Sequence, residues 1–536
     1  MKTLPNQIRV LDCTLRDGGY YTQWDFDSGF VSEYLALVSR SPIHDVEIGY
    51  RSPEKTEYFG RFFYLSKQEL IKAKGCLRLN QRLGIMFNLK DIDDNSISDL
   101  LTDIVGVVDF IRFAVAPNEI PRALVLHQRV IDLGFACALN IMHLSKWSQH
   151  ADDVLAPFIN VKQLDCLALV DSYGGCFPNE VSHAIATACA LFCGTVGFHG
   201  HDNAGLAFAN SLSAIQAGAG SIDATFMGMG RGAGNLKTEL MLTYVGIITG
   251  TEIPYFDLHK FLERMAKLHA QYQWGTSLPY MYSSLSGQEQ GKVMDWLIKD
   301  RFDPSVVMGA LQDKLVVHEG LDNVVFPKLA DFTQVSGRRR FILIGGGDSA
   351  RRAVPAIQQM ALKDTVIFHT SLKSTEFFDD LSGHCVALSG HEIQKISESK
   401  MITLTCDMAC WVVPPPPRFA GSVPPVGMVR QVNPGALFML AQIAEVSVPS
   451  PLQIGLSSAV ECGADDVMLI GFDGYSDDTE SSHAKNDENA ITIADYLSVA
   501  NVPKLVSLAP TRYRLPVRSL HAMVQLEGQL HGENHE

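Results

Sequence analysis

The sequence predicts an α/β chain: a (β/α)8 TIM barrel with a helical extension, followed by a smaller α/β domain. Three observations carry this. Residues 5 to 250 repeat a strand-then-helix rhythm, with eight β-rich runs each about 25 to 45 residues from the next. Polar residues able to do chemistry stand at the C-terminal ends of those runs, where such barrels keep their active sites. The 536 residues are too many for one ordinary domain.

In order, strands are expected at Ile8–Asp12, Asp45–Gly49, Gly84–Asn88, Asp109–Val115, Phe135–Ile141, Cys166–Asp171, Thr195–His199 and Ser221–Phe226. Amphipathic stretches such as Phe30–Ser39 and Leu206–Ala217 fill helical slots between them. An open doubly wound sheet is the alternative, but it usually needs fewer strands. The barrel is assigned to residues 1–250. Residues 251–337 read as a helical extension completing the barrel site, with helices at Leu258–Tyr272, Gly287–Leu297 and Pro304–Asp313.

Composition narrows the function classes. Apolar residues make up 46% and charged residues 19%, ordinary for a soluble enzyme. The net charge of −15 argues against non-specific binding of nucleic acid or of an anionic membrane. The N-terminus has no signal-peptide core and no apolar run reaches membrane-spanning length, so a cytoplasmic location is expected. The eleven cysteines lack paired zinc-finger spacing; Cys189/Cys193 and Cys406/Cys410 are expected as core thiols in a reducing compartment.

The chemistry centres on residues 194 to 239. Along a strand alternate side chains share a face, so His199 and His201 point the same way from the end of strand 7. Two imidazoles so placed make half of a divalent-metal site, although two ordinary histidines at a strand end look the same. After strand 8, Gly228-Met229-Gly230-Arg231-Gly232-Ala233-Gly234-Asn235 lets backbone approach a ligand closely. At the start of the chain Arg16-Asp17-Gly18-Gly19 supplies a guanidinium and a carboxylate in a glycine-rich turn. In a closed ring strand 8 lies between strands 7 and 1, so these three loops converge. Glu47, Arg112 and Asp171 also stand at strand ends, where each reads as a substrate-binding group or as an ion pair within barrel packing.

Together these stretches resemble the metal-dependent aldolase, lyase and synthase superfamily of TIM barrels, which includes 4-hydroxy-2-oxovalerate aldolase, hydroxymethylglutaryl-CoA lyase and isopropylmalate synthase. The shared pattern is Leu11-Asp12-Cys13-Thr14-Leu15-Arg16-Asp17-Gly18 after strand 1, His199-Gly200-His201-Asp202-Asn203 after strand 7, and the loop ending in Gly234-Asn235 after strand 8. It spans roughly residues 5 to 290. The resemblance implies that Asp17, His199 and His201 hold a divalent ion, Mn²⁺ first, with Mg²⁺ or Co²⁺ as alternatives. It places Arg16 against the enolate oxygen of a pyruvate-type donor, with Asn235 as a further ligand or as the residue that orients its loop. Tyr282, in Tyr282-Ser283-Ser284, matches an active-site tyrosine of the pyruvate aldolases. The implied activity is that of a class II aldolase joining or cleaving a 2-oxo acid and an aldehyde, with a sugar-derived aldehyde as the candidate acceptor. A homo-oligomer is expected, with neither nucleic acid nor membrane as partner.

One residue departs from the family. The hydroxy-oxovalerate aldolases carry a general-base histidine two residues after the Gly of the Arg-Asp-Gly turn, where this chain has Tyr20. An ordinary phenol titrates near pH 10, so a base there needs positive charge nearby. A metal-bound water or Tyr282 is the alternative base. The lyase branch carries a catalytic cysteine in its loop, and residues 228–235 contain none. An acyl-CoA-dependent synthase of the isopropylmalate type and a non-catalytic glycan-assembly scaffold are the competing readings.

A second domain is expected over residues 338–524, with a polar tail at 525–536. The strand Phe341–Ile344 runs through Gly345-Gly346-Gly347 into a helix over Arg351–Leu362, a turn that can put backbone N–H groups around a phosphate. The spacing does not complete a dinucleotide fingerprint. With Gly471-Phe472-Asp473-Gly474 after the strand Val467–Ile470, it resembles the Rossmann-like domains of bacterial surface-glycan proteins. The proline run Pro414–Pro417 reads as a spacer loop.

Overall fold

In the computed structural model, eight parallel strands close on themselves. They are β1 (Arg9–Asp12), β2 (Asp45–Tyr50), β3 (Arg82–Asn88), β4 (Phe110–Val115), β5 (Ala136–Ile141), β6 (Leu164–Asp171), β7 (Thr195–Gly200) and β8 (Ser221–Ala224). They pair in sequence order, and β8 returns to β1 with Arg9 opposite Ser221 and Asp12 opposite Ala224. The structure describes residues 8–525, apart from 57, 94–95, 289, 299–301, 303, 313–322, 361–363, 391–395, 397–403, 406–407, 420–421, 425, 444–445 and 477–479. Two compact units emerge, Met1–Met294 and Asp295–Glu536.

The barrel interior is layered. At the bottom, Arg9 and Arg82 both reach Asp45, at 2.5 and 2.8 Å, and Arg82 also pairs with Asp165 at 2.9 Å. Burial pushes the Asp45 carboxyl up to about 6, against the pull of Arg9. Above this layer lie small and apolar side chains: Leu11, Cys13, Phe110, Ala138, Cys166 and Ala168. Gly84 is required there, because a Cβ would stand 2.1 Å from the Phe110 ring. The next layer up carries the charged residues of the mouth.

β8 stops at Ala224, short of the expected Phe226, because the chain tightens into a 3-10 turn over Phe226–Gly228 with Met227 at φ +51°. The extension opens with the helix Tyr255–Tyr272, whose buried Leu258, Phe261 and Met265 recur at helical spacing. Phe261 packs on Phe30 and Tyr34 of the helix Ser28–Arg40. Two shorter helices follow, Leu278–Leu285 and Gln290–Ile298.

In the second unit, seven parallel strands form an open sheet. They are β9 (Arg340–Ile344), β10 (Thr365–His369), β11 (Cys385–Ala387), β12 (Cys410–Val413), β13 (Val429–Gln431), β16 (Asp466–Ile470) and β17 (Lys504–Ser507), in the order β13-β12-β11-β10-β9-β16-β17. A small antiparallel pair, β14 (Ala441–Ile443) and β15 (Val446–Val448), lies apart from it. Alternate residues of each strand feed two separate cores. Ile342 and Ile344 join the helix Asp348–Gln359 on one face, while Phe341 and Leu343 join the helix Pro451–Glu461 on the other.

The sheet order reverses between β9 and β16, and there the two glycine turns meet. Gly345 N–H donates to Ile470 O at 2.8 Å and Gly347 N–H to Gly471 O at 3.0 Å. The anion position that such a turn can offer at the N-terminus of the helix Asp348–Gln359 is filled by a side chain of the protein itself. Asp473 accepts from Ser349 N–H at 2.9 Å and from the Ser349 hydroxyl. The helix start already has its anion.

One of the two expectations about the cysteines needs correction. Cys189 and Cys193 are exposed and not core thiols, because the outer end of the helix Pro178–Leu191 and the turn after it face solvent. Cys410 is buried beside Cys385, whereas Cys406 lies outside the described residues. Of the polar tail, only residue 525 falls among the described residues. No described helix is long and apolar enough to cross a membrane.

Candidate active site

Six side chains at the barrel mouth form a closed ring in which basic and acidic residues alternate. Arg16, in the short helix Thr14–Asp17 after β1, donates from Nε to Glu47 Oε1 at 2.7 Å and from Nη1 to Asp17. Glu47 Oε2, on β2, lies 3.4 Å from Arg112 Nη1 on β4. Arg112 donates from Nη2 to Asp223 Oδ2 on β8 at 2.5 Å, and its Nε is held by Asn140 of β5 at 3.0 Å. Asp223 Oδ2 lies 3.0 Å from His199 Nδ1 on β7, and His199 Nε2 returns to Asp17 Oδ2 at 3.5 Å. All six are almost wholly buried, so the two guanidinium groups and three carboxylates keep their charges only because each has an opposite neighbour, while His199 bridges Asp223 and Asp17. Burial would raise the Asp223 carboxyl, yet Arg112 and His199 hold it down at about 2. Burial acts on Asp17 in the same sense, and Arg16, His199, His201 and the Asn235 amide keep it below the usual carboxylate range.

The structure thus brings Arg16, Asp17, Glu47, Arg112 and His199 into one connected set. Asn235 joins it by donating from Nδ2 to Asp17 Oδ2 at 2.5 Å, and its backbone forms an antiparallel bridge with His201. His201 is partly exposed at the rim, its ring centre 5.0 Å from that of His199. Its Nδ1 faces the Asp171 carbonyl at 2.9 Å. Burial of the ring, with the charge of His199 beside it, pushes the His201 imidazole down to about 3. Tyr20 is partly exposed, edge-on to Trp24 at 4.9 Å and under the Arg231 guanidinium at 5.6 Å. Of the tyrosines on the helix Leu278–Leu285, buried Tyr280 is the one that meets Gly232 of the loop. Tyr282 lies two residues on, roughly 200° round the helix, and is half-buried.

The donor set suits a hard divalent cation. When Nδ1 carries the proton in each histidine, bonded to Asp223 or to the Asp171 carbonyl, both Nε2 atoms keep a free lone pair. Asn235 Oδ1 is buried and has no hydrogen-bond partner among the described residues, an orphan acceptor beside Asp17. Cys13, Asp17 and His199 lie within 4.8 Å of one another through their donor atoms, which makes Cys13 a neighbour the sequence did not suggest. Its thiol donates to Ala224 O at 3.6 Å, and burial pushes it well above its ordinary range. A protonated thiol is a poor ligand, so the His201 imidazole is the better third donor.

Glycines shape the loop after β8. Gly234 has φ +82°, and a Cβ there would stand 2.1 Å from Gly228 O. Asn235 N–H closes the turn on that same carbonyl at 3.0 Å. Tyr21 donates to Gly232 O at 2.7 Å, tying the loop to the β1 turn. From the extension, Gln290 links Asn203 Nδ2, at 2.6 Å, to Ser283 Oγ, at 3.0 Å. Sequence reasoning missed Asp223, Asn203 and Gln290. For Asp223 a signal existed: a carboxylate inside an otherwise apolar barrel strand, as Glu47 is in β2.

A family profile described as HMGL-like matches residues 143–263. The solved N-terminal domain of a candidate aldolase from Bacteroides vulgatus is 39% identical, with all of that domain and 56% of this chain aligned and a TM-score of 0.53. The chain belongs to the HMGL-like superfamily of pyruvate-type aldolase TIM barrels. Among curated relatives of this HMGL-like barrel, a 4-hydroxy-2-oxovalerate aldolase from Carboxydothermus hydrogenoformans is 28% identical over 48% of this chain and 76% of its own length. An oxaloacetate decarboxylase from Mycobacterium tuberculosis is 27% identical over 44% of this chain and 68% of its own. These HMGL-like relatives are carbon–carbon lyases.

Proposed function

We propose that the barrel makes or breaks a carbon–carbon bond next to a 2-oxo acid, through a pyruvate-type enolate, in a divalent-metal-dependent aldol reaction. The observation that carries this reading is the buried Asp17–His199 pair with the orphaned Asn235 oxygen beside it and the Arg16 guanidinium in contact with Asp17. The named activities of the two curated relatives share the release of pyruvate by loss of a bond to C3.

Asp17, His199 and His201 would hold the ion, with Asn235 able to turn its oxygen towards it. When bound, the ion supplies a Lewis acid for the carboxylate and ketone oxygens of the donor. Arg16 keeps Glu47 and Asp17 on Nε and Nη1, while its Nη2 has no hydrogen-bond partner among the described residues. That edge is the part of the guanidinium available to developing negative charge on the enolate oxygen, and it is held still by the ring. In the synthetic direction Tyr20 acts as its phenolate and takes the C3 proton, and the C3 electron pair attacks the aldehyde carbon. The Tyr20 hydroxyl then returns that proton to the former carbonyl oxygen of the aldehyde, which regenerates the phenolate. Cleavage reverses each step, and the barrel packing around the ring excludes water from the charged groups.

The test is deuterium uptake at pyruvate C3, read by mass spectrometry. The wild-type chain is expected to exchange only with divalent metal, to lose exchange on chelation and to regain it on metal addition. Asp17→Asn should abolish it. Exchange that is indifferent to chelator, or intact in Asp17→Asn, overturns the assignment.

A further inference from the structure

We propose that Arg231 recognises a second anionic group, a carboxylate or a phosphate, at the far end of the acceptor aldehyde. This rests on the aldol reading of the same site and adds the class of acceptor. Arg231 sits between two glycines whose positions are tied to the site. A Cβ on Gly230 would stand 2.4 Å from the Asn235 amide, and Gly232 O accepts the Tyr21 hydroxyl at 2.7 Å. The loop therefore cannot carry Arg231 away without moving Asn235.

The side chain is presented in an unusual way. Buried arginines of the barrel interior, Arg16 and Arg112, are locked in ion pairs, and Arg9, Arg51, Arg82 and Arg264 nearer the surface are paired too. Arg231 is exposed and pairs with no carboxylate among the described residues. Its guanidinium rests instead over the Tyr20 ring at 5.6 Å, at the position where the reacting carbon is expected to lose its proton. Room for it is left on the facing segment, where a Cβ on Gly291 would stand 2.9 Å from Arg231 Nη2. A second cation of the mouth, Lys146, lies 5.4 Å over the Tyr173 ring, but its ammonium is committed to the Gly287 carbonyl at 2.5 Å. In a chain of net charge −15, an uncompensated guanidinium at the mouth favours a negatively charged substrate. In the proposed reaction the donor's own carboxylate is taken by the ion; the planar fork of Arg231, outside Tyr20, suits a second carboxylate or phosphate.

The experiment compares kcat/KM for aldol addition of pyruvate to four aldehydes, with pyruvate C3 exchange measured in parallel. Glyceraldehyde 3-phosphate and succinic semialdehyde are the anionic pair, glyceraldehyde and propanal the neutral pair. The wild-type chain is expected to favour an anionic member at least about tenfold, the scale of one charge-assisted contact. Whichever anionic member leads tells phosphate from carboxylate. Arg231→Gln should bring the anionic-to-neutral ratio close to one, a ratio in which any change in the shared proton-transfer step cancels, and Arg231→Lys should keep part of the preference. The inference is overturned by a wild-type chain that exchanges but shows no preference, by one that exchanges and adds none of the four, or by a preference that survives Arg231→Gln. A wild-type chain without any exchange removes the aldol reading, and the inference with it.

Discussion

His199 turns its Nδ1 onto Asp223 Oδ2 at 3.0 Å, and the same oxygen receives Arg112 Nη2 at 2.5 Å. One carboxylate thus orients an imidazole and neutralises a guanidinium. Asp223→Asn keeps the shape but removes the charge. Metal affinity measured by calorimetric titration is expected to fall about ten- to hundredfold, the usual cost of losing a group that orients a ligand histidine. Thermal unfolding should move down as well, because a buried charge left short of its partner costs up to about 3–5 kcal/mol. Unchanged metal affinity would mean that His199 needs no such support.

Tyr20, the base of the proposed reaction, lies between the Trp24 edge and the Arg231 guanidinium. Tyr20→Phe is expected to slow pyruvate C3 exchange at least about tenfold, which is about 1.4 kcal/mol of barrier. Tyr21→Phe loses a hydrogen bond to the loop and no proton acceptor in the site, so its effect on exchange should be smaller. Equal exchange in Tyr20→Phe and wild type assigns the proton to another group.

Gly234→Ala forces a Cβ to 2.1 Å from Gly228 O at a residue with φ +82°. The loop must open, and Asn235 leaves Asp17. Activity should be lost while the barrel keeps its fold, since the strain is of the order of 1–3 kcal/mol and lies at the mouth. Circular dichroism matching wild type with activity retained would show that the loop tolerates another path.

The second unit offers a pH dependence of its own. His369 Nε2 meets His384 Nδ1 at 3.0 Å, and His369 Nδ1 meets Ser374 Oγ at 2.8 Å. Burial pushes His384 down to about 4 against the pull of Asp380, and burial with the neighbouring His384 pushes His369 further below its ordinary range. An unfolded imidazole titrates near 6.5, so between pH 6.5 and 4 the unfolded chain binds a proton that folded His384 refuses. This stability is complete above about pH 6.5 and is lost as pH falls through that window, by up to about 1.4 kcal/mol per pH unit. In calorimetric unfolding scans of the full chain, His384→Gln should flatten the acid side for the affected transition. An unaltered slope would place the proton uptake elsewhere.

The barrel was legible because its signals are local and repeated. Each apolar run sits close to an observed strand, and the two ends of the ring, Arg16-Asp17 and His199, announce themselves as short motifs. Asp223 was not legible in the same way, since its meaning comes from Arg112, 111 residues away, and from closure of the barrel. That Tyr280 lies beside Gly232 is a matter of helical phase, which the Tyr-Ser-Ser motif does not carry. In the second unit the sequence showed two of seven strands. β11 and β13 are three residues each, too short to show a period. Asp473 could be read as part of a turn, but its reach to Ser349 depends on strand order in the sheet.

The closed circuit of Arg16, Glu47, Arg112, Asp223, His199 and Asp17 has a consequence for inheritance. Replacing any one member strands the charges on both sides of it, and only a compensating change in a neighbour restores balance. Single substitutions should therefore be strongly epistatic, and double substitutions of adjacent members milder than the sum of their parts. Drift towards new chemistry is then easiest at positions outside the circuit, such as Tyr20 and Arg231, whose replacement removes no member of it.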